Sequence, residues 1–208
     1  MSTIRRTLFI TAFLIALSCI ATAQVSTVPS DPMLKLQGLD GKVYDLKELR
    51  GNVVLVSFGA TWCAPCTTEL RALGQLLTEY RDKPVKFFWV SIEPHEKVSN
   101  GEFKQYARER KVRFPVLRDD AGMVFSQFSA RVRLPLIILL NKDGKVDAPI
   151  KIGMQSQVDI YKADIRARLN KLLVLPSPSG RETEGEGPKR REITVKFLTP
   201  TLSQRERE

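Results

Sequence analysis

The feature that most constrains this chain is a cysteine pair at a strand-to-helix junction. Asn52 to Phe58 reads N-V-V-L-V-S-F, a compact apolar run of the kind that is buried on both faces of a sheet. Gly59-Ala60-Thr61-Trp62-Cys63-Ala64-Pro65-Cys66 follows at once. Beyond it Leu70, Leu73, Leu76, Leu77 and Tyr80 fall on one broad helical stripe. In that setting a C-x-x-C pair has a redox meaning.

Exchange between thiols and disulfides needs a thiolate as nucleophile and a second thiol close enough to resolve the mixed disulfide. A helix start supplies both. Cys63, at or near the cap, is expected to point its sulfur at free backbone N–H groups, whose partial positive charge stabilises the anion. Cys66, three residues on, returns to the same face and lies deeper. Pro65 suits the first turn, where its missing N–H would have had no partner. Cys63 is therefore expected to attack and Cys66 to resolve. Two other readings compete. A tetrahedral zinc or copper site wants four ligands, and outside the first 23 residues the chain offers two cysteines and His95. A permanent structural disulfide over so short a loop would gain little from loop-closure entropy. His95, in Glu93-Pro94-His95-Glu96, reads as a surface-loop residue.

The remaining pattern alternates strands and helices. Leu34 to Tyr44 reads as a hairpin turning at Asp40-Gly41. Val85 to Ile92 is a second apolar strand, and about Gly101 to Arg110 a helix facing inward through Phe103, Tyr106 and Ala107. Arg113 to Leu117 is a short strand, followed by a turn at Asp119-Asp120-Ala121-Gly122. Leu136 to Leu140 is a third strong strand, turning at Asn141-Lys142-Asp143-Gly144 into a partner at Lys145 to Ile152. Ser156 with Asp159 resembles a capping box that opens a last helix carrying Val158, Ile165, Leu169, Leu172 and Leu173. This predicts an α/β fold around a mixed central sheet flanked by helices, with an N-terminal β-hairpin extension.

The ends differ in character. Arg5 and Arg6, an apolar run from Leu8 to Ile20 and the small residues Ala21-Thr22-Ala23 read in order as an export signal, residues 1–23. The run is shorter than the ~20 apolar residues that span a bilayer comfortably. Retention of residues 4–21 as an anchor is the alternative to cleavage, and acylation of Cys19 is disfavoured by Leu17 and Ser18 before it. Cleavage removes Cys19 and leaves Cys63 and Cys66. A periplasmic or other extracytoplasmic location follows. Residues 176–208 are rich in Pro, Ser, Gly, Glu and Arg, with only Ile193 to Leu198 apolar enough for a strand, and read as a disordered tail. The net charge of +10 is mostly spread over residues 24–175, without a basic cluster interleaved with aromatics, so nucleic acid is not expected as a partner.

Residues 33–174 resemble the TlpA/ResA/CcmG-like branch of the thioredoxin superfamily. The matching residues are Leu34-Lys35-Leu36, Asp40-Gly41-Lys42, Leu46, Leu49-Arg50-Gly51, Trp62-Cys63-Ala64-Pro65-Cys66, Phe114-Pro115, Leu134-Pro135 and Asp143-Gly144-Lys145. The W-C-x-P-C element is the specific one. The resemblance implies a thioredoxin fold and a cis Leu134–Pro135 bond in a loop facing the disulfide. It also implies a substrate surface around Trp62, Leu134 and Pro135, and a Glu69 that assists proton movement at the inner thiol. Glu69 follows Cys66 by one helical turn, and Ser57 stands where cytoplasmic thioredoxins keep a buried aspartate; the plainer reading of Glu69 is an exposed helix carboxylate. The implied activity is disulfide exchange in the reducing direction, without a cofactor or metal. The implied partners are exported cysteine-containing proteins such as apocytochrome c, and a membrane or soluble electron-donor protein. No His lies between the cysteines, as strong periplasmic oxidants often have.

Three departures stand out. Gly59 replaces a common aromatic, which is expected to loosen packing beneath the site. Leu136 stands where threonine is frequent, and Asn141 where aspartate is usual. A metal chaperone of similar fold would carry C-x-x-x-C and a distant ligand His. A peroxidase of the peroxiredoxin type would carry P-x-x-x-T-x-x-C, which this sequence lacks.

Overall fold

Seven strands form one mixed sheet in the computed structural model, which describes residues 29–175. The export signal expected at residues 1–23 and the tail expected at residues 176–208, with Ile193 to Leu198, lie outside the described residues. Strand β1 (Lys35–Gly38) pairs antiparallel with β2 (Val43–Asp45), and Gly41 takes a φ of 84° in the turn between them, where a side chain would be strained. Strands β3 (Val53–Gly59), β4 (Val85–Ser91) and β5 (Val116–Arg118) run parallel. Strand β6 (Leu136–Leu140) lies antiparallel to β3, and β7 (Val146–Ile152) antiparallel to β6. The order is β2-β1-β5-β4-β3-β6-β7, so the hairpin extends the sheet past β5 and β7 forms the other edge. An edge tolerates Pro149, whose bond to Ala148 is cis.

All seven residues of β3 and all five of β6 are buried, which explains their unbroken apolar sequence. Among the described residues three helices connect or follow the strands: α1 (Ala64–Glu79), α2 (Asn100–Glu109) and α3 (Val158–Val174). All three pack in one core. Val53 and Leu55 of β3 meet Leu70, Leu73 and Leu76 of α1, Phe103 and Tyr106 of α2, and Tyr161, Ile165, Leu169 and Leu172 of α3. The alternate residues Val54, Val56 and Phe58 face a second core closed by Leu34, Leu46, Phe125 and Phe128, which come from a connecting segment and short 3-10 turns. The helices thus cover one face of the sheet rather than flanking both. The reason is topological: β3 to β4 to β5 steps twice in the same direction, and crossovers of one hand put both helices on one side.

Two helix starts differ in how they are capped. Helix α2 opens with a full capping box, Ser99 Oγ accepting from Glu102 N while a Glu102 carboxylate oxygen accepts from Ser99 N. Helix α3 has none: its cap is Gln157, with no side-chain bond, so Ser156 and Asp159 do not form the box their spacing suggested.

Candidate active site

The strand-to-helix junction is built as its residue types require. Cys63 is the N-cap of α1, in extended backbone, and Pro65 occupies the first turn. The Cys66 backbone N–H donates to Cys63 Sγ at 3.3 Å. The same N–H also donates to the Cys63 carbonyl at 3.0 Å, so a first-turn N–H is shared between that oxygen and the sulfur of the residue that would carry a thiolate. The two cysteines form a disulfide with Cα atoms 5.3 Å apart. Cys63 retains 4% of its surface and Cys66 none, so any approach from outside meets Cys63 first. Trp62, immediately before it, is 65% exposed.

The Leu134–Pro135 bond is cis. Leu134 packs against the small cluster of Ala60, Cys63 and Cys66, so this loop does face the disulfide. Pro135 is held by its carbonyl, which accepts from Gly153 N at 2.7 Å. His95 is exposed, as its loop position suggested.

Glu69 is not an exposed helix carboxylate. It is 1% exposed, one turn after Cys66 on the face of α1 that meets the sheet. Ser57 Oγ donates to one carboxylate oxygen and Tyr161 Oη to the other, each at 2.5 Å. Burial pushes the Glu69 carboxyl up to about 7, against the downward pull of those two bonds and of Lys151. A group poised near neutrality one turn from a buried thiol is suited to proton transfer.

The expected looseness at Gly59 is absent. Trp89 of β4, fully buried, lays its indole where a side chain at Gly59 would be; a Cβ there would sit 2.4 Å from Trp89 Nε1. The aromatic volume missing from β3 is supplied by the neighbouring strand. Trp89 is in turn stacked on Tyr106, with ring centroids 5.5 Å apart, and tilted against Phe103 at 5.0 Å.

Sequence reasoning missed Glu93, Tyr161 and Lys151. The Glu93 carboxylate, buried just past β4, accepts from Thr61 N at 2.6 Å and from Thr61 Oγ1 at 2.8 Å, and so pins the loop that carries Trp62 and Cys63. Arg118 Nη2 donates to the Glu93 carbonyl at 3.0 Å and fixes that residue from β5. The position was legible: Glu93 follows the C-terminal end of a strand parallel to β3, the edge at which open α/β sheets place their chemistry. Tyr161 lies four residues before Ile165, on the same inward stripe.

The AhpC/TSA family matches residues 30–148. The chain belongs to that family. Two curated relatives are thiol-disulfide oxidoreductases named ResA. That of Bacillus thuringiensis subsp. konkukian is 31% identical over 120 residues, 58% of this chain and 66% of the relative. One from Bacillus cereus is 32% identical over 126 residues, 61% of this chain and 69% of the relative. The chain thus spans about two thirds of the length of the curated relatives it matches. Among solved structures, a putative thiol:disulfide interchange protein DsbE from Chlorobium tepidum superposes with a TM-score of 0.60 at 21% identity, covering 71% of this chain and 99% of that one. That likeness establishes the thioredoxin-like fold. With family, fold and cysteine pair together, this AhpC/TSA member is a thiol–disulfide oxidoreductase.

Proposed function

We propose that the protein is exported and reduces disulfides of other exported proteins, apocytochrome c among the candidates, with Cys63 as the attacking thiol and Cys66 as the resolving one. In each cycle the Cys63 thiolate attacks a target disulfide, forming a mixed disulfide and releasing one target thiolate. Cys66 then loses its proton and attacks Cys63 Sγ; the second target sulfur leaves as a thiolate, and the protein is left oxidised. Two electrons pass to the target, whose two thiolates take up protons. A dithiol of an electron-donor protein, itself left as a disulfide, must restore the pair. Glu69 is the acceptor for the Cys66 proton. Trp62, Leu134 and Pro135 form the surface on which the target segment lies.

The observation that carries this reading is the Cys66 N–H aimed at Cys63 Sγ at the start of α1, with Cys63 on the outer side. The reducing direction is supported by the sequence Ala64-Pro65 between the cysteines, which places no His beside the thiolate. A potential nearer thioredoxin, at about −270 mV, than the oxidant DsbA, at about −120 mV, is expected. Alkylation of the reduced protein near neutral pH, read by mass spectrometry, should modify Cys63 well before Cys66. Cys66→Ser should accumulate mixed disulfides through Cys63, and Cys63→Ser should not. Faster labelling of Cys66 would reverse the assignment, and a potential near that of DsbA would reverse the direction.

A further inference from the structure

Glu69 is surrounded by groups from four elements. On its own helix, Cys66 precedes it by one turn. Ser57 on β3 donates to Oε2, and Tyr161 on α3 donates to Oε1. Lys151 on β7 lies over the Tyr161 ring, its Nζ 5.2 Å from the centre of the phenol, with its side chain only 14% exposed. Asp164, also on α3, takes up part of that charge through a 2.6 Å ion pair with Lys151.

Each feature has a cheaper alternative that the chain does not use. A Phe at position 161 would fill the same core volume with no hydroxyl to satisfy, since the residue is fully buried. An apolar residue at 151 would cover the ring with no cation to desolvate. Instead the hydroxyl is aimed at a buried carboxylate, and a cation is laid over the ring that carries that hydroxyl.

We infer that Tyr161 and Lys151 are positioning residues for the proton step of exchange: Tyr161 fixes the Glu69 carboxylate by its hydroxyl, and Lys151 supplies a charge that favours its anion. This rests on the reading of Glu69 as the acceptor for the Cys66 proton. A neutral Glu69 could not take that proton, so whatever favours its anion extends activity to lower pH. The direction is the same for both groups, since the Tyr161 hydrogen bond and the Lys151 charge each lower the carboxyl pKa against burial.

The test is a pH profile, which a merely structural role would not move. Release of glutathione from the preformed Cys63–glutathione mixed disulfide, the step in which Cys66 must lose its proton and Cys63 no longer titrates, is followed from pH 5.5 to 9 in wild type, Glu69→Gln, Tyr161→Phe, Lys151→Gln and Lys151→Arg. Wild type should show an inflection near neutrality that Glu69→Gln lacks. Tyr161→Phe should move the inflection upward by ~0.5–1 pH unit, giving ~3–10-fold slower exchange at pH 6.5 and wild-type rates at pH 9. Lys151→Gln should shift it the same way by less, and Lys151→Arg should restore it. If Tyr161→Phe does not fold, the two Lys151 variants at the sheet edge carry the test. Profiles superposing on wild type, with the inflection still lost in Glu69→Gln, would overturn this inference and leave Glu69 as the acceptor. An inflection that survives in Glu69→Gln would overturn both.

Discussion

Glu69 makes the stability of this protein depend on pH in a direction opposite to that of most carboxylates. Burial lifts its carboxyl from the ordinary 4.5 to about 7. The folded state therefore holds a proton over a range in which the unfolded chain has released it, and stability falls as pH rises. The fall begins near 4.5, the unfolded value, and is complete above the folded value of about 7. At 1.36 kcal/mol per pH unit, a shift of about 2.5 units amounts to roughly 3 kcal/mol, of which about 2.5 kcal/mol is lost between pH 5 and 8. With a denaturant slope of ~1–3 kcal/mol per molar urea, the unfolding midpoint should drop by roughly 1–2.5 M over that interval. Asp40, Glu79 and Glu102 do not confuse the result. Hydrogen bonds from Tyr44, Arg166 and Ser99 respectively hold their carboxyls below the usual range, so their contribution is lost only as pH falls into the acid region. Keeping the disulfide intact removes the cysteine titrations as well. The assay is urea unfolding of oxidised wild type and Glu69→Gln across pH 5 to 8. Gln keeps the volume and an acceptor for Tyr161 but cannot ionise, so the difference between the two proteins isolates this one group. A difference that stays constant within about 0.5 kcal/mol over the interval, the scatter of an ordinary surface change, would refute the buried-acid account.

Two further outcomes are expected. Gly59→Ala should destabilise the protein by ~1–3 kcal/mol through overpacking, offset by about 0.5–1 kcal/mol from removing a strand glycine. The new methyl would meet Trp89 Nε1 at 2.4 Å, and Trp89 is held from behind by Phe103 and Tyr106. Adding Trp89→Phe should recover part of the loss, and purely additive effects in that cycle would show that the two positions do not compete for space. With export and cleavage, N-terminal sequencing of protein from its native host should begin at Gln24; a membrane-bound form beginning at Met1 would favour the anchor instead.

Two stretches of the sequence carry the same helix-start spacing, and only one of them uses it. Ser99-Asn100-Gly101-Glu102 has the spacing of a capping box and forms one, whereas Ser156 with Asp159 has the same spacing and does not. The chain reaches α3 one residue later, at Gln157, so Ser156 lies outside the cap. At Gly59 a local comparison misleads, because the missing aromatic is replaced from β4, the strand paired beside it.

What the sequence determined by itself is local chemistry and its order. A buried apolar run, then Trp62 and the pair Cys63 and Cys66, then a helical stripe, require a helix start to act on the first sulfur, because both cysteines lie within one turn of the same backbone. The alternation of strands and helices likewise follows from hydrophobic period alone. What only the tertiary structure decided is the company that Glu69 and Thr61 keep. Glu69 is 92 residues from Tyr161, and Thr61 is 32 from Glu93; Lys151 reaches the Tyr161 ring from the edge strand. None of these pairings has a period or a motif. They exist because β3, β4, β6 and β7 assemble in one sheet with α1 and α3 on the same face. Burial then makes each polar group find whatever partner that assembly brings within reach.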